Sequence, residues 1–268
     1  MCERVISSIN LNETASLSSL QPEGWVDIVP QFVFYTKSDF CYPIKVTMNN
    51  EIVGIGTTIV HNDVAWLAHI IVHPCYRCKG IGTHITQTLV EMATTRNCST
   101  IYLIATEYGE PVYKKVGFLN ETEYLVYKDV TKKDWIISEN IQSYKEKYME
   151  QLVALDRDTS GENRMLHLGR HLTNGMVYQM WNIVEGYFLP TYGEGLIIAN
   201  TEIAGIELLK LHLKHNDRVV IPKENNVAQR FLQNTGFREV KVIKRMRLGS
   251  ERKVRFSNIY NRIGGNVG

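Results

Sequence analysis

Arg77-Cys78-Lys79-Gly80-Ile81-Gly82 is an RxxGxG stretch set between an apolar run, Ala65 to Val72, and an amphipathic one, Thr83 to Arg96. The first run predicts a strand and the second a helix. Two glycines in a strand-to-helix loop let the backbone approach a bound group closely. Successive N–H groups then point inward, and the helix N-terminus adds positive partial charge. The stretch is an anion cradle of the size that wraps a diphosphate, with Arg77 and Lys79 as cations and the Thr83 hydroxyl as a further donor. An ordinary turn also uses glycine at this place, so the flanking sequence decides between the two.

Downstream, Ile101 to Ala105 predicts a strand, and a short helix opened by Pro111 and closed by Gly117 carries Tyr113-Lys114-Lys115-Val116-Gly117-Phe118. The segment from Ile71-Val72-His73-Pro74 through Gly82, followed by Tyr113 to Phe118, resembles the acyl-CoA pyrophosphate loop and the YxxxGF ending of the GCN5-related N-acetyltransferases, the GNAT family. The resemblance implies acetyl-CoA as co-substrate and no metal. It implies a diphosphate held on the N–H groups of Cys78, Lys79, Gly80, Ile81, Gly82 and Thr83, with Arg77 beside them. Pantetheine would pair with backbone at Ile71 and Val72, where the family's strand splays from its neighbour, and a backbone N–H near Val72 would polarise the thioester carbonyl. Thr106 stands where family members often place an asparagine, and its hydroxyl can still bond pantetheine.

Tyr113 matches the family tyrosine that faces the thioester sulfur. A phenol with a pKa near 10 remains a donor at neutral pH and can protonate the departing thiolate. The competing reading is a tyrosine packed under the closing strand, as for Tyr102 and Tyr124. An alkylamine acceptor must also lose a proton before it attacks. His69, three residues before Val72, titrates near neutrality and is the first candidate base, with Glu107, Tyr108 and His73 as alternatives; a structural hydrogen bond within the strand is the other reading of His69.

The chain has 268 residues, 44% of them hydrophobic, which suits two domains with substantial cores. With 30 basic against 28 acidic side chains, the formal charge of +2 gives no field that would imply nucleic acid as the main partner. No run approaches the roughly 18 apolar residues of a membrane span, and Met1 to Leu20 lacks the apolar stretch of a signal peptide, so a cytoplasmic protein is expected. Five cysteines without framework spacing fit reduced thiols. Cys75 and Cys78 form a CxxC beside His73, but zinc wants four ligands and no second CxxC or HxxxH supplies them. A dithiol switch in the cradle is the alternative. Arg238, Lys241, Lys244, Arg245, Arg247, Arg252, Lys253 and Arg255 read as an edge strand and its tail with outward cations, or as a surface for an acidic acceptor or RNA.

Before the cradle, a helix over 24–33 and three strands, Tyr42 to Met48, Ile52 to Val60 and Val64 to Val72, are expected. After it, Ile81, Ile85, Leu89, Met92 and Ala93 make one helix stripe, and Glu121 to Lys128 closes the unit. The boundary falls near residue 135. Beyond it the order repeats: a hairpin over Met176 to Phe188, a strand Gly195 to Ala199, a helix Thr201 to Lys214 with stripe Ile203, Ile206, Leu209 and Leu213, and a strand Arg218 to Pro222. Asn225 to Phe237 parallels Thr106 to Phe118. Where a cradle belongs, however, stands Ala199-Asn200-Thr201-Glu202-Ile203-Ala204, and Leu232 replaces the tyrosine.

This arrangement resembles two-domain GNAT proteins with a degenerate C-terminal copy. The expected fold is α/β, with tandem GNAT-like domains on mixed α+β sheets, residues 1–135 catalytic and 136–268 serving the acceptor site or a subunit interface, including that of a homodimer. The expected activity is transfer of acetyl from acetyl-CoA to a primary amine of a small molecule by direct attack. The alternatives are a longer acyl-CoA as donor, a non-catalytic acyl-CoA sensor, and an interaction protein.

Overall fold

Asparagines set the first turns. Asn49 and Asn50 hold φ of 50° and 65°, and Asn62 holds 60°, left-handed values that asparagine tolerates and a tight hairpin turn requires. The computed structural model describes residues 4–129 and 134–267. Strand β1 (Val5–Ser8) and helix α1 (Val29–Thr36) precede a meander of β2 (Cys41–Met48), β3 (Glu51–His61) and β4 (Val64–Val72). Helix α2 (Ile81–Thr94), strand β5 (Thr100–Ala105) and helix α3 (Glu110–Val116) follow. Strands β1 to β4 pair antiparallel in order, and β5 joins β4 in parallel. The three meander strands and the stripe Ile81, Ile85, Leu89 and Ala93 lie as the sequence predicts, with Met92 at the margin of the core.

The lead-in differs from expectation. Residues 11–20 form a 3₁₀ segment in which the hydroxyls of Thr14, Ser16, Ser18 and Ser19 each bond the carbonyl three residues back, at 2.7 to 3.0 Å. Such local bonding favours the tighter helix, and it hides Leu17 and Leu20, which are buried, behind a polar composition. The helix expected over 24–33 begins only at Val29, with Pro30 in its first turn.

Two compact units divide the chain. The first comprises the chain up to Leu119, with Met246–Ser250 and Gly265–Val267; the second comprises Asn120–Arg245 with Glu251–Gly264. Strand β6 (Leu119–Lys128), expected to close the first unit, lies in the second. The second unit continues with β7 (Ile141–Ser143), helices α4 (Met149–Ser160) and α5 (Met165–Leu168), and strands β8 (Met176–Met180), β9 (Ile183–Leu189) and β10 (Leu196–Ala199). Helix α6 (Glu202–Leu213), strand β11 (Arg218–Pro222), helix α7 (Asn226–Asn234), strand β12 (Arg238–Gly249) as far as Arg245, and strand β13 (Ile259–Asn261) complete it.

The order β8, β9, β10, α6, β11, α7, β12 repeats β2, β3, β4, α2, β5, α3, β6, as the sequence parallel predicts. The closing strands are exchanged between the copies. Strand β6 pairs antiparallel with β11, from Arg218↔Lys128 to Pro222↔Tyr124. The end of β12 instead flanks β5, where Ser250 N–H donates to the Ser99 carbonyl at 2.8 Å.

Two other expectations change. Ile203 is 65% exposed, and the buried face of α6 is Ala204, Gly205, Leu208, Leu209, His212 and Leu213. Thr201 caps the helix, accepting from Ala204 N–H. Arg245 is not an outward surface cation: it is 2% exposed and paired with Glu121 at 2.6 Å.

Helix α2 is brought close to the sheet by glycine. A Cβ on Gly56 would lie 2.8 Å from both Ile85 Cγ2 and Leu89 Cδ1, and one on Gly54 2.8 Å from Ile85 Cδ1. Gly56→Val should overpack this contact and cost about 1–3 kcal/mol. Urea unfolding followed by circular dichroism measures it; unchanged stability would refute the close packing.

Candidate active site

The site is built where β4 and β5 part. Their parallel pairing covers Val64↔Thr100 to Leu67↔Leu103 and stops, although β4 runs on to Val72 and β5 to Ala105. From Ala68 onward β4 is paired on its β3 side, with a bulge: Ile55 faces Ile71 and Thr57 faces Ala68, so Gly56 alone opposes His69 and Ile70. His69 takes φ of 50°, the left-handed conformation that a bulge of this kind ordinarily gives to glycine. Ile71 and Val72 therefore lie on the diverging part of β4.

Beyond Val72 the chain makes a 3₁₀ turn, Pro74–Tyr76, started by the His73 ring, whose Nδ1 accepts from Cys75 N–H at 3.3 Å. Arg77 Nε donates to the Val72 carbonyl at 3.1 Å, anchoring the loop to the strand end. Cys78 and Gly80 then adopt φ of 59° and 80°. Among the described residues, the six N–H groups from Cys78 to Thr83 make no hydrogen bond; the helix ladder begins with His84 N–H on the Gly80 carbonyl at 3.0 Å. Left-handed residues alternating in such a run form a concave nest of donors at the start of α2.

Gly82 looks toward the divergence, for a Cβ there would meet Val72 Cγ2 at 3.7 Å and Val112 Cγ1 of α3 at 3.9 Å. Loop, β4 end and α3 thus converge at one place. Lys79 is tied back, its Nζ donating to the Cys75 carbonyl at 3.1 Å. Cys75 and Cys78 are both exposed, and no disulfide joins the described cysteines. A cation missed by the sequence reading is Arg4, which donates to the Lys79 carbonyl at 2.8 Å and brings Nη1 within 3.9 Å of a Gly80 Cβ. Nothing in the sequence signals it, since more than seventy residues separate Arg4 from the loop.

Tyr113 is 8% exposed, its ring against Gly109 and edge-on to Phe118 at 6.3 Å. Burial pushes its pKa up to about 12, so it stays protonated. Thr106 is exposed and its Oγ1 accepts from Gly109 N–H at 3.2 Å, orienting the start of α3. Asn225 does the same for α7, accepting from Ala228 N–H at 2.9 Å. Of the alternative bases, Glu107 and Tyr108 are exposed, and His73 is occupied in the loop. His69 lies among Trp25, Phe32 and Tyr35, with ring centroids 6.1, 5.8 and 5.6 Å away. Burial holds its pKa down to about 4.

The family model for the acetyltransferase (GNAT) family matches residues 11–118. Residues 11–118 form a GNAT acetyltransferase domain. The match ends one residue before the first stretch of the first unit ends. Among solved structures, a putative acetyltransferase from Pyrococcus horikoshii superposes with a TM-score of 0.84 at 20% identity, covering 99% of this chain and 96% of that one. A GCN5-related N-acetyltransferase from Sphaerobacter thermophilus gives 0.65 at 12% identity, over 95% of this chain and 98% of the other. A tandem GNAT protein from the clavulanic acid biosynthesis pathway gives 0.60 at 12% identity, over 94% and 100%. At these identities the likeness is one of fold, and the fold is that of tandem GNAT-like domains. No curated protein sequence matches the chain.

In the second GNAT-like copy the equivalent strands β10 and β11 lie in different sheets, and a third strand links them. Strand β13 pairs with β10 through Ile197↔Asn261 and Ile198↔Ile259. It also bonds β11: Val220 N–H donates to Asn261 Oδ1 at 2.8 Å and Arg262 N–H to the Val220 carbonyl at 3.0 Å. The Tyr260 ring covers the start of α6, where a Cβ on Gly205 would come within 2.1 Å of it. Among the described residues no helix is long and apolar enough to cross a membrane.

His69 makes the stability of the protein depend on pH. Its folded pKa of about 4 lies below the ordinary 6.5, so below pH 6.5 the unfolded chain binds a proton that the folded one refuses. Its stabilising contribution is complete above pH 6.5 and declines as pH falls toward 4, by about 3 kcal/mol at most. Urea titrations across pH 4 to 7 should show a shallower loss for His69→Gln than for the native chain; parallel profiles would refute the low pKa.

Proposed function

We propose that the chain is an N-acetyltransferase whose first unit binds acetyl-CoA and passes the acetyl group to a primary amine of a small molecule. The observation that carries this reading is the nest of six unbonded N–H groups, Cys78 to Thr83, at the N-terminus of α2 beside the diverging end of β4. A diphosphate satisfies such donors and gains from the helix dipole. Arg77 and Arg4 add positive charge at the same loop. Ile71 and Val72 offer backbone on the side that β5 has left, which suits pantetheine, and Thr106 stands at the opposite rim.

In the reaction, the amine nitrogen attacks the thioester carbonyl and a C–N bond forms. The oxyanion is held by a backbone N–H near Val72. The C–S bond then breaks, and Tyr113 gives its proton to the sulfur of the departing thiolate, regaining one from solvent. An imidazole at about 4 is far too weak a base to take a proton from an alkylammonium, so we assign that proton to water rather than to His69. No step needs a metal.

The second unit has a non-catalytic role in this reading. Its β10 and β11 are linked through β13, its α6 begins with Glu202 in place of a glycine loop, and buried Leu232 stands for the tyrosine. Calorimetry with acetyl-CoA should therefore find one site per chain. Gly82→Asp has room for its Cβ but puts a carboxylate where the diphosphate lies, so the folded variant should lose that site by several kcal/mol. Undiminished binding would refute the placement.

Tyr113→Phe keeps the ring and removes the proton. Acetyl-CoA affinity should be unchanged and turnover, followed as free CoA, should fall by roughly 10²- to 10⁴-fold. Equal turnover would leave Tyr113 a packing residue. Tight acetyl-CoA binding with no turnover on any amine would favour an acyl-CoA sensor.

A further inference from the structure

The His69 ring has one hydrogen bond to a described residue: its Nδ1 lies 3.0 Å from the Tyr35 hydroxyl. Which atom owns the proton follows from what else reaches Tyr35. Asn266 Nδ2 donates to the same oxygen at 3.5 Å. Tyr35 is buried, and an amide nitrogen that donates cannot receive its proton; of its two described hydrogen-bond partners only Nδ1 can. Nδ1 accepting means that a neutral ring carries its proton on Nε2. Nε2 has no described partner, and it is not among the sealed polar atoms of the chain. It is the open edge of a ring placed on the bulge where β4 turns away from β5.

We propose that Asn266 and Tyr35 are positioning residues that lock His69 as the Nε2–H tautomer, and that this N–H selects acceptors carrying an uncharged oxygen, a carbonyl or hydroxyl, close to the amine. This rests on the acetyltransferase reading above. The choice of an uncharged oxygen follows from the surroundings. Trp25, Phe32 and Tyr35 border the ring, and no cation contacts it among the described residues. A carboxylate placed there would be desolvated with one neutral donor to meet it, whereas a carbonyl or hydroxyl is satisfied by that donor. The nucleophilic nitrogen must keep its lone pair for attack, so the donor serves a neighbouring atom. The left-handed backbone at His69 fixes the direction of the ring, and the Asn266 amide comes from the segment Gly265–Val267, which belongs to the first unit.

Two readouts test this on the full chain. Long-range ¹H–¹⁵N spectra of histidine-labelled protein, with His69 assigned by its loss in His69→Gln, should show a neutral ring protonated on Nε2 at pH 7. Tyr35→Phe and Asn266→Ala should shift that signal toward a tautomer mixture. A ring protonated on Nδ1 in the native protein, or one indifferent to Tyr35→Phe, would overturn the relay.

For selection, an amino-amide and an alkylamine of the same length are compared as acceptors by kcat/KM. The native enzyme should prefer the amino-amide roughly three- to tenfold, the scale of one hydrogen bond. His69→Ala should erase the preference and His69→Gln, whose amide can replace Nε2–H, should restore it. A preference that survives His69→Ala would overturn the role of His69 in selection. The tautomer is read without turnover, so a failure to acetylate either amine counts against the acetyltransferase reading and not against the relay.

Discussion

Two parallel strands cannot separate inside a protein without leaving backbone donors and acceptors that something else must satisfy. That requirement organises both halves of the chain. In the first unit β4 and β5 part after Leu67 and Leu103, and the bulge at His69 keeps β4 paired to β3 while its other side turns away. In the second unit the equivalent strands β10 and β11 belong to different sheets, and β13 pairs with β10 and bonds β11. The equivalent place thus has two outcomes, strands that pair and then part in one copy and strands linked through a third in the other. The difference lies in a three-residue strand far along the chain, not in the repeat itself.

Local chemistry was legible in the sequence where it rests on neighbouring residues. The strand–loop–helix order around Gly80 and Gly82, the meander, the stripe of α2 and the repeated element order follow from spacing, turn residues and period, while the roles of the loop and of Tyr113 come from the family resemblance. Long-range decisions were not legible. Nothing in Asn120 to Lys128 says that β6 pairs with β11, because either copy offers a strand of the same pattern. Arg245 reads as one more surface cation until Glu121, 124 positions away, is found at 2.6 Å. Arg4 and Asn266 reach the site from the two ends of the sequence, with no motif to mark them. The 3₁₀ segment failed for a different reason: hydroxyls that bond their own backbone make a buried element look like a polar leader.

His69 illustrates how residue type misleads without environment. Its reference titration near neutrality makes it the natural base on paper. Aromatic neighbours remove that option by excluding water from the charged form, and Tyr35 occupies the nitrogen that would take a proton. The backbone strain of a left-handed histidine, about 1–3 kcal/mol for such conformations, is tolerated because β3 on one side and the ring's hydrogen bond on the other hold it in place. Tyr113 experiences the same physics with the opposite utility, since burial that weakens an imidazole as a base keeps a phenol protonated.

The exchange of β6 and β12 sets the order in which a growing chain can finish its parts. By the time α3 has left the ribosome, β1 to β5 are all present, yet β5 still lacks the strand beside it. That strand, Met246–Gly249, is made more than a hundred residues later, after nearly all of the second copy. The edge of β5 must meanwhile stay unpaired or be borrowed by β6, which follows it directly and reads as an acceptable neighbour. Folding during synthesis therefore passes through a choice between a quick local pairing and a delayed correct one.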